Sequence, residues 1–563
     1  MTRSKMEHPT KTLLALDTED DSNSTVGIIN FFDGTTHTTF EGEDCQLRAW
    51  NWLCVQGPVM VWACNLEYDL INLCGVWVGK MVTLQYVSAG LMKGSWRRSP
   101  GVTFYDTLRH WPMSVEQMGR YIGLPKFAKD FTSVKYCRRD TEIVWRFVAH
   151  MLQRYEADDL KLKSTLPSMA LQLFKAKFCP ILPTVEEFRR QFYRQGYYGG
   201  RVEVYRFKPV LGPVHHYDVN SLFPTQMRDA VFPDVDRWTE TTTMDLGHEG
   251  MAEVTIRVPF TRYPPLPMRY DGELVYPTGM LRGAWAYPEL RAAEQEGCRI
   301  QSVHRAIEHR ALAASPFKGF VEYCYGQRLQ ATHELDRVYW KLMMNSLYGK
   351  FGQKEGMSMI FRDLLIEQSK PATHANVIWA AYVTSHARVH LLNALRSVST
   401  VYYTDTDSLF TPDIMPTGKA LGELKHEGTY RLIEFLGNKL YMVLEPAMER
   451  AFVGDRGFVC PTCHLDGPKG LCRHAKAKGV PRSAASDFLR TGRAIFRRPA
   501  RYREARKSWG AQANTWYDVE KVRDELYTKR RILSNGHTEP WEWAAYQVFR
   551  QTVRHGDESL VNE

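Results

Sequence analysis

Two aspartates set two apart inside an apolar run constrain this chain most. Tyr402-Tyr403-Thr404-Asp405-Thr406-Asp407-Ser408 otherwise has the β-branched and aromatic character of a buried strand. A carboxylate buried without a partner is costly, and a bound cation is the usual compensation. A charged hairpin tip is the alternative, and the apolar flanks argue against it. A third acid, Asp218, follows the strand-like His215-His216-Tyr217 and opens Asp218-Val219-Asn220-Ser221-Leu222-Phe223-Pro224. Between these acids runs Lys341-Leu342-Met343-Met344-Asn345-Ser346-Leu347-Tyr348-Gly349-Lys350-Phe351-Gly352. On a helix Lys341, Asn345 and Tyr348 fall at i, i+4 and i+7, one polar and aromatic stripe able to hold a triphosphate and stack on a base. Standing alone, the stripe would read as a solvated face ending in a glycine cap.

A second set of acids lies near the N-terminus. The strand at 13–19 ends in Asp17-Thr18-Glu19, and the period of two puts both carboxylates on one face. Asp69 in Asn65-Leu66-Glu67-Tyr68-Asp69 and Asp140 in Tyr136-Cys137-Arg138-Arg139-Asp140 supply further hard oxygen ligands. Such a set suits two Mg²⁺ ions about 3.5–4 Å apart. Tyr136 and Asp140, four apart on a helix, share a face, so the phenol could orient an attacking water. Singly, each motif reads as a solvated loop acid; their order and spacing are the signal.

A chain of 563 residues exceeds what one hydrophobic core covers, which points to three or four domains. With 44% hydrophobic and 24% charged residues, disorder and collagen-like repetition are excluded. No run reaches the roughly 18 apolar residues that span a bilayer, and residues 1–12 are polar. A cytoplasmic protein, not secreted and without a membrane partner, is expected. Eight of the eleven cysteines (Cys45, Cys54, Cys64, Cys74, Cys137, Cys179, Cys298, Cys324) have no metal-ligand spacing and read as reduced core thiols. Residues 12–150 alternate strands (12–17, 26–32, 59–63, 102–105) with helices (45–55, 114–122, 133–152), an α/β pattern. Residues 155–195 read as helical, and the glycine loop Gly196-Tyr197-Tyr198-Gly199-Gly200-Arg201 marks a boundary. Strands then fill 205–300, among them 215–219 and 251–258. A helical stretch at 317–348, a loop or hairpin at 356–373, a helix at 376–398 and a strand pair at 401–409 follow.

Taken in order, the acid pair, Asn-x3-Asp, Tyr-x3-Asp, Tyr-x-Gly-Gly, Asp-x2-Ser-Leu-Phe-Pro, Lys-x3-Asn-Ser-Leu-Tyr-Gly, Tyr-x-Asp-Thr-Asp-Ser and Lys439-Leu440-Tyr441 make the chain resemble the family B DNA polymerases. The nearest subgroup is the protein-primed one of linear-genome phages and plasmids, and the resemblance covers residues 13–441. It implies a multidomain α/β and α+β fold, an RNase H-like 3′–5′ exonuclease domain followed by a right-hand polymerase. The domains it implies are the exonuclease at 1–155, a helical linker with the Tyr-Gly-Gly template loop at 156–204, palm at 205–316 and 376–440, fingers at 317–375 and thumb at 441–563. Asp218 and Asp407 would be the principal ligands of two Mg²⁺ (or Mn²⁺) ions, with Asp405 beside them. Lys341 would neutralise phosphate charge, and Ser221, Leu222, Phe223, Asn345 and Tyr348 would hold the incoming nucleotide. Phe223 stands where many relatives carry tyrosine, so steric exclusion of a ribose 2′-hydroxyl is kept and the phenol's hydrogen bond is not. Lys439 and Tyr441 would grip the primer strand, and Tyr198, Gly199 and Gly200 would pass template. In the nuclease, Asp17, Glu19, Asp69 and Asp140 would bind metal, Asn65 the frayed strand, and Tyr136 the water. Implied partners are template and primer DNA, deoxynucleoside triphosphates and a terminal protein acting on a monomer.

The subgroup also carries two insertions. Residues 229–325 are long enough for the first; residues 353–374 are short for the second, which puts strand displacement in question. Because the nuclease motifs begin near residue 13, a terminal protein is expected as a separate chain. The opposing expectation is a relative that starts from a nucleic-acid primer or from none. A standalone exonuclease leaves residues 197–441 without a purpose, and an inactive relative would be expected to lack an acid. Cys460, Cys463, Cys472 and His474 have the spacing of a small structural Zn²⁺ knuckle, or of a hairpin with reduced thiols. Finally, residues 473–507 hold twelve Lys and Arg against Asp487 and Glu504, a surplus equal to the whole chain's net charge of +10. Arg493, Arg497, Arg498 and Arg501 in that stretch are expected to meet duplex phosphates.

Overall fold

The computed structural model describes residues 11–20, 26–75, 78–87, 90–97, 101–128, 130–353, 359–362, 365–368, 374–443, 476–499, 516–523 and 526–554. The chain forms two compact units, Met1–Pro180 with Tyr323–Ala375 and Arg497–Asp518, and Ile181–Glu322 with Asn376–Phe496 and Val519–Glu563. Among the described residues no helix is long and apolar enough to cross a membrane.

The first unit is built on a nine-stranded mixed sheet. At its centre Thr12–Asp20 runs parallel to Val59–Ala63, which runs parallel to Thr103–Asp106, while Val26–Phe32 and His37–Glu41 extend it antiparallel. Central parallel strands are covered on both faces, so Leu14, Ala15, Leu16, Val61, Trp62 and Ala63 are all buried, a continuous apolar run and not an alternation. Each buried leucine or valine among them contributes about 1.5–3 kcal/mol on burial. The helix Val134–Ala157 packs on this sheet, and Trp145 Nε1 donates to the Leu13 carbonyl at 3.1 Å. Val82–Val87 and Gly90–Trp96, to which the sequence pattern assigns no element, also join the sheet. Gly90 and Gly94 hide their alternation, and glycine weakens a strand signal in general. The 356–373 stretch resolves as the hairpin Met359–Arg362 and Leu365–Gln368, paired to the edge at Val82–Val87. The expected 317–348 helix is instead Lys318–Gln330, Glu334–Ser346 and Tyr348–Phe351.

The second unit carries a seven-stranded antiparallel sheet. Its order is Lys476–Ala477, Leu440–Val443, Leu424–Gly437, Val210–Val219, Ser408–Thr411, Tyr403–Asp405 and Val202–Val204. A four-stranded antiparallel sheet lies within the stretch proposed for the first insertion, with Arg299–Ala311 and Glu249–Val258 at its middle. The helix Val377–Arg396 is apolar nearly all round and buried, and packs against Leu222–Asp229, Glu187–Gln195 and Tyr287–Gln295.

Candidate active sites

In the first unit, the C-terminal end of Thr12–Asp20 meets two helices. Asp17, Glu19 and Asp140 each turn a carboxylate oxygen to a common point, with these atoms within 4.8 Å of one another. Among the described residues this is the one group of three acidic or metal-ligating side chains so placed. Period two brings Asp17 and Glu19 to one face, and the helix Val134–Ala157 delivers Asp140 one turn after Tyr136. Asp69, buried on Leu66–Cys74, accepts from the Thr18 N–H at 3.0 Å and the Thr18 hydroxyl at 2.8 Å. Burial, then Asp69, Asp140 and Glu19, pushes the Asp17 carboxyl well above the ordinary range; burial likewise raises Asp69 and Asp140. Asp17 Oδ2 and Asp140 Oδ1 are buried with no hydrogen-bond partner. Crowded hard oxygens, two of them without a hydrogen-bond partner, are what a divalent cation such as Mg²⁺ binds, so these residues fit the expected group.

The acids open into a cleft of about 930 Å³ that is also lined by Asn65, Tyr68, Lys126 and Tyr136. Asn65 sits at a left-handed turn (φ 68°), its N–H held at 3.1 Å by Asp106, with the residue exposed. Lys126 was not legible in the sequence motifs. Its ammonium pairs with Asp140 and stands 4.7 Å from the Tyr136 ring centre. The available signal was physical, not local: a buried carboxylate cluster calls for a cation within reach.

In the second unit, Asp218 on Val210–Val219 lies opposite Ser408, and the Val219 N–H donates to the Asp407 carbonyl at 2.8 Å. The two acids thus come together across adjacent strands. Burial, then Asp407 and Glu427, raises the Asp218 carboxyl to about 7; burial, then Asp405, raises Asp407. The strand pair expected at 401–409 is present as Tyr403–Asp405 and Ser408–Thr411, and its tip holds the acids: Asp405 ends one strand and Asp407 lies in the turn before the next. Thr406 takes a positive φ of 63°, which reverses the chain. The tip is nonetheless no solvated loop: Asp405 is buried, and its carboxylate meets Lys439 Nζ at 2.8 Å and Lys476 Nζ at 3.7 Å. Lys476 is a second cation that the motifs did not mark.

Around the tip, Tyr441 is buried in an aromatic cluster with Tyr403, Phe410 and Phe435. The Lys439 N–H donates to the Tyr403 hydroxyl at 2.9 Å. The Tyr198-Gly199-Gly200 loop is held by the buried Arg388, which donates to the Tyr198 and Gly199 carbonyls at 2.7 and 3.1 Å. Glu289 fixes that guanidinium through two bonds of 2.7 and 2.9 Å. Ser221 is in the left-handed region before the helix Leu222–Asp229, Leu222 is buried, and Phe223 packs against Val219, Leu222 and Ala387. In the first unit Lys341 is exposed, Asn345 and Tyr348 are half-buried, and Asn345 donates to the Lys341 carbonyl at 2.7 Å. Leu347 stays in the right-handed helical region, so the stripe passes the break between the two helices. Arg493 and Arg497 are exposed, with Glu520 at 2.8 Å from the first and Asp518 at 3.7 Å from the second. Arg498 lies over the Tyr517 ring at 5.0 Å. Arg501 and the Cys460, Cys463, Cys472 and His474 cluster lie outside the described residues.

Residues 126–372 match the family model of DNA polymerase type B, organellar and viral. The chain is 23% identical over 463 residues to the DNA-directed DNA polymerase of Enterobacteria phage PRD1, covering 73% of this chain and 78% of that one. It is 24% identical to the DNA polymerase of Bacillus phage phi29, covering 67% and 72%, and 24% identical to a probable DNA polymerase of Neurospora intermedia, covering 55% and 37%. The chain spans about a third to a half of the fungal and archaeal-virus relatives, with 37%, 30% and 54% of their lengths covered. The structure of phi29 DNA polymerase with primer-template DNA superposes with a TM-score of 0.69 at 16% identity, covering 91% of this chain and all of that one. The fold is therefore that multidomain one, an α/β exonuclease-type domain with the palm, fingers and thumb of a polymerase. By motif order, sequence match and fold, the chain is similar to the organellar and viral type of the family B DNA polymerases.

Proposed function

We propose that this chain is a template-directed DNA polymerase with a 3′–5′ proofreading exonuclease, replicating a viral or plasmid genome. One observation carries the reading: each unit gathers carboxylates from distant parts of the chain into an under-neutralised cluster, Asp218 with Asp407 in one and Asp17, Glu19 and Asp140 in the other. Mg²⁺ or Mn²⁺ ions bound there would lower the pKa of the attacking hydroxyl or water and neutralise charge on the leaving group. In the polymerase, Asp405 stands beside the two ligands and Lys341 neutralises phosphate charge as it builds up. Ser221, Leu222, Asn345 and Tyr348 seat the nucleotide while the Phe223 ring excludes a ribose 2′-hydroxyl. Lys439, whose N–H is held by the Tyr403 hydroxyl, takes the primer strand with Tyr441, and the Tyr198-Gly199-Gly200 loop, fixed by Arg388, guides template. In the nuclease, Asp69 completes the ligand set, Asn65 holds the frayed strand, Tyr136 orients water and Lys126 pairs with Asp140. We assign the nuclease to residues 1–155, the palm to 205–316 and 376–440, the fingers to 317–375 and the thumb to 441–563.

Priming has two readings. The motif resemblance favours a separate terminal protein. The second reading, synthesis without any primer, is favoured by 27% identity over 391 residues to a protein of Escherichia coli named primer-independent DNA polymerase PolB. Primer extension with Mg²⁺ and four deoxynucleotides tests the polymerase: incorporation is expected, and none by the intact protein would refute it. Label attached covalently to a partner protein, against label found only in unprimed product, separates the two priming modes.

A further inference from the structure

The strand Thr12–Asp20 runs one acid beyond Glu19, to Asp20, whose carboxylate takes no part in the three-acid cluster. Both of its oxygens are engaged by ring donors. The Tyr68 hydroxyl donates to Oδ1, and Trp516 Nε1 donates to Oδ2 at 3.2 Å. Trp516 lies 496 residues further along the chain, yet it belongs to the same compact unit and lines the same cleft as the acids. Arg497 lines that cleft too, with its side chain 61% exposed. On the helix side, Phe131 meets Tyr136 edge-on, with ring centres 6.3 Å apart. A cleft with acids at its floor and tyrosine, tryptophan and arginine in its walls has the composition of a single-strand site, where rings stack on bases and cations meet phosphates.

We propose that Trp516, braced with Tyr68 by the shared Asp20, is the stacking platform that seats the last bases of a single-stranded 3′ end over Asp17, Glu19 and Asp140. Trp516 is then a positioning residue for strand degradation, supplied by a segment that the nuclease motifs do not include. The inference rests on the exonuclease reading for its chemistry, but base stacking can be read without any turnover. Base–aromatic stacking is worth about 1–3 kcal/mol per base, or about 5- to 150-fold in affinity.

The test uses the full chain and a single-stranded oligonucleotide with 2-aminopurine at either of its two 3′-terminal positions, in an Asp17→Ala background that keeps the DNA intact. Binding is expected to quench the probe, Trp516→Ala to abolish the quenching, and Trp516→Phe, which keeps a ring but loses the bond to Asp20, to retain part of it. In the nuclease-competent chain Trp516→Ala should raise KM for single-strand degradation about 5- to 150-fold with kcat within about twofold. Quenching that persists in Trp516→Ala, or a Phe variant as defective as the Ala variant, would overturn the proposal in favour of a purely bracing role. Trp516-dependent quenching by a chain that degrades no DNA would instead leave the platform standing and remove the nuclease reading.

Discussion

A β-carbon on Gly200 would lie 2.6 Å from Thr406 Cγ2 and 2.8 Å from Thr406 Oγ1, closer than real contacts allow. Thr406 separates Asp405 from Asp407, and its N–H is bonded at 2.7 Å to the Arg201 carbonyl. Gly200→Ala must therefore displace the hairpin tip, and displacements of that kind can cost about 100-fold in rate. A loss of about 10- to 100-fold in primer extension is expected with single-strand degradation retained. Thr406→Gly added to Gly200→Ala should recover part of the loss, and a double variant no better than the single one would refute the steric account. Asp218 makes a pH prediction. Its folded pKa of about 7 lies above the ordinary 3.8, so the metal-free fold loses stability as pH rises between those values. Above about 7 the charged carboxylate is ready for a cation. Mg²⁺ should raise the melting temperature more at pH 8 than at pH 6, and Asp218→Asn should shrink that difference; equal rises in both proteins would count against it. At this scale the sequence was most informative where acids sit in apolar runs, as at Asp405 and Asp407. It was silent on Lys126 and Lys476, because a countercharge that arrives from a loop or a remote strand leaves no local pattern.

Strand identity was legible where burial is continuous or alternation clean, as in Val26–Phe32 and Val59–Ala63, whose bounds match the periodicity. It failed at glycine-interrupted Gly90–Trp96, which the pattern leaves unassigned. The short strand Val202–Val204 shows a device no pattern reveals. It pairs with Tyr403–Asp405, and its Glu203 is fully buried between Arg201 at 2.5 Å and Arg530 at 3.3 Å. Arg530 also donates to the Thr538 hydroxyl at 2.9 Å and the Arg262 carbonyl at 3.0 Å, tying C-terminal chain to the edge of the acid-bearing sheet. Removing Glu203 strands two buried guanidiniums, and breaking such a pair costs about 3–5 kcal/mol. Glu203→Ala is expected to lower the thermal unfolding midpoint by several degrees and Glu203→Gln to do so less; an unchanged midpoint in both would show that the cluster does not hold the strand.

For the molecule as a whole, the net charge of +10 is concentrated in one stretch, of which Arg493–Pro499 is described as a strand. Each phosphate contact contributes about 0.9 to the slope of log affinity against log salt. Replacing Arg493, Arg497 and Arg498 by Gln should flatten that slope for duplex DNA by about 2–3 without altering sequence preference, whereas an unchanged slope would place the duplex elsewhere. The central claim is that two separate acid clusters in one chain perform opposed reactions. The direct test is to measure extension of an annealed primer and degradation of a single-stranded 3′ end side by side in Asp407→Asn and Asp17→Ala. Asp407→Asn is predicted to lose extension by at least about 100-fold and keep degradation, and Asp17→Ala to do the reverse, the size expected when a group that stabilises transition-state charge is removed. Undiminished extension by Asp407→Asn, or undiminished degradation by Asp17→Ala, would contradict it.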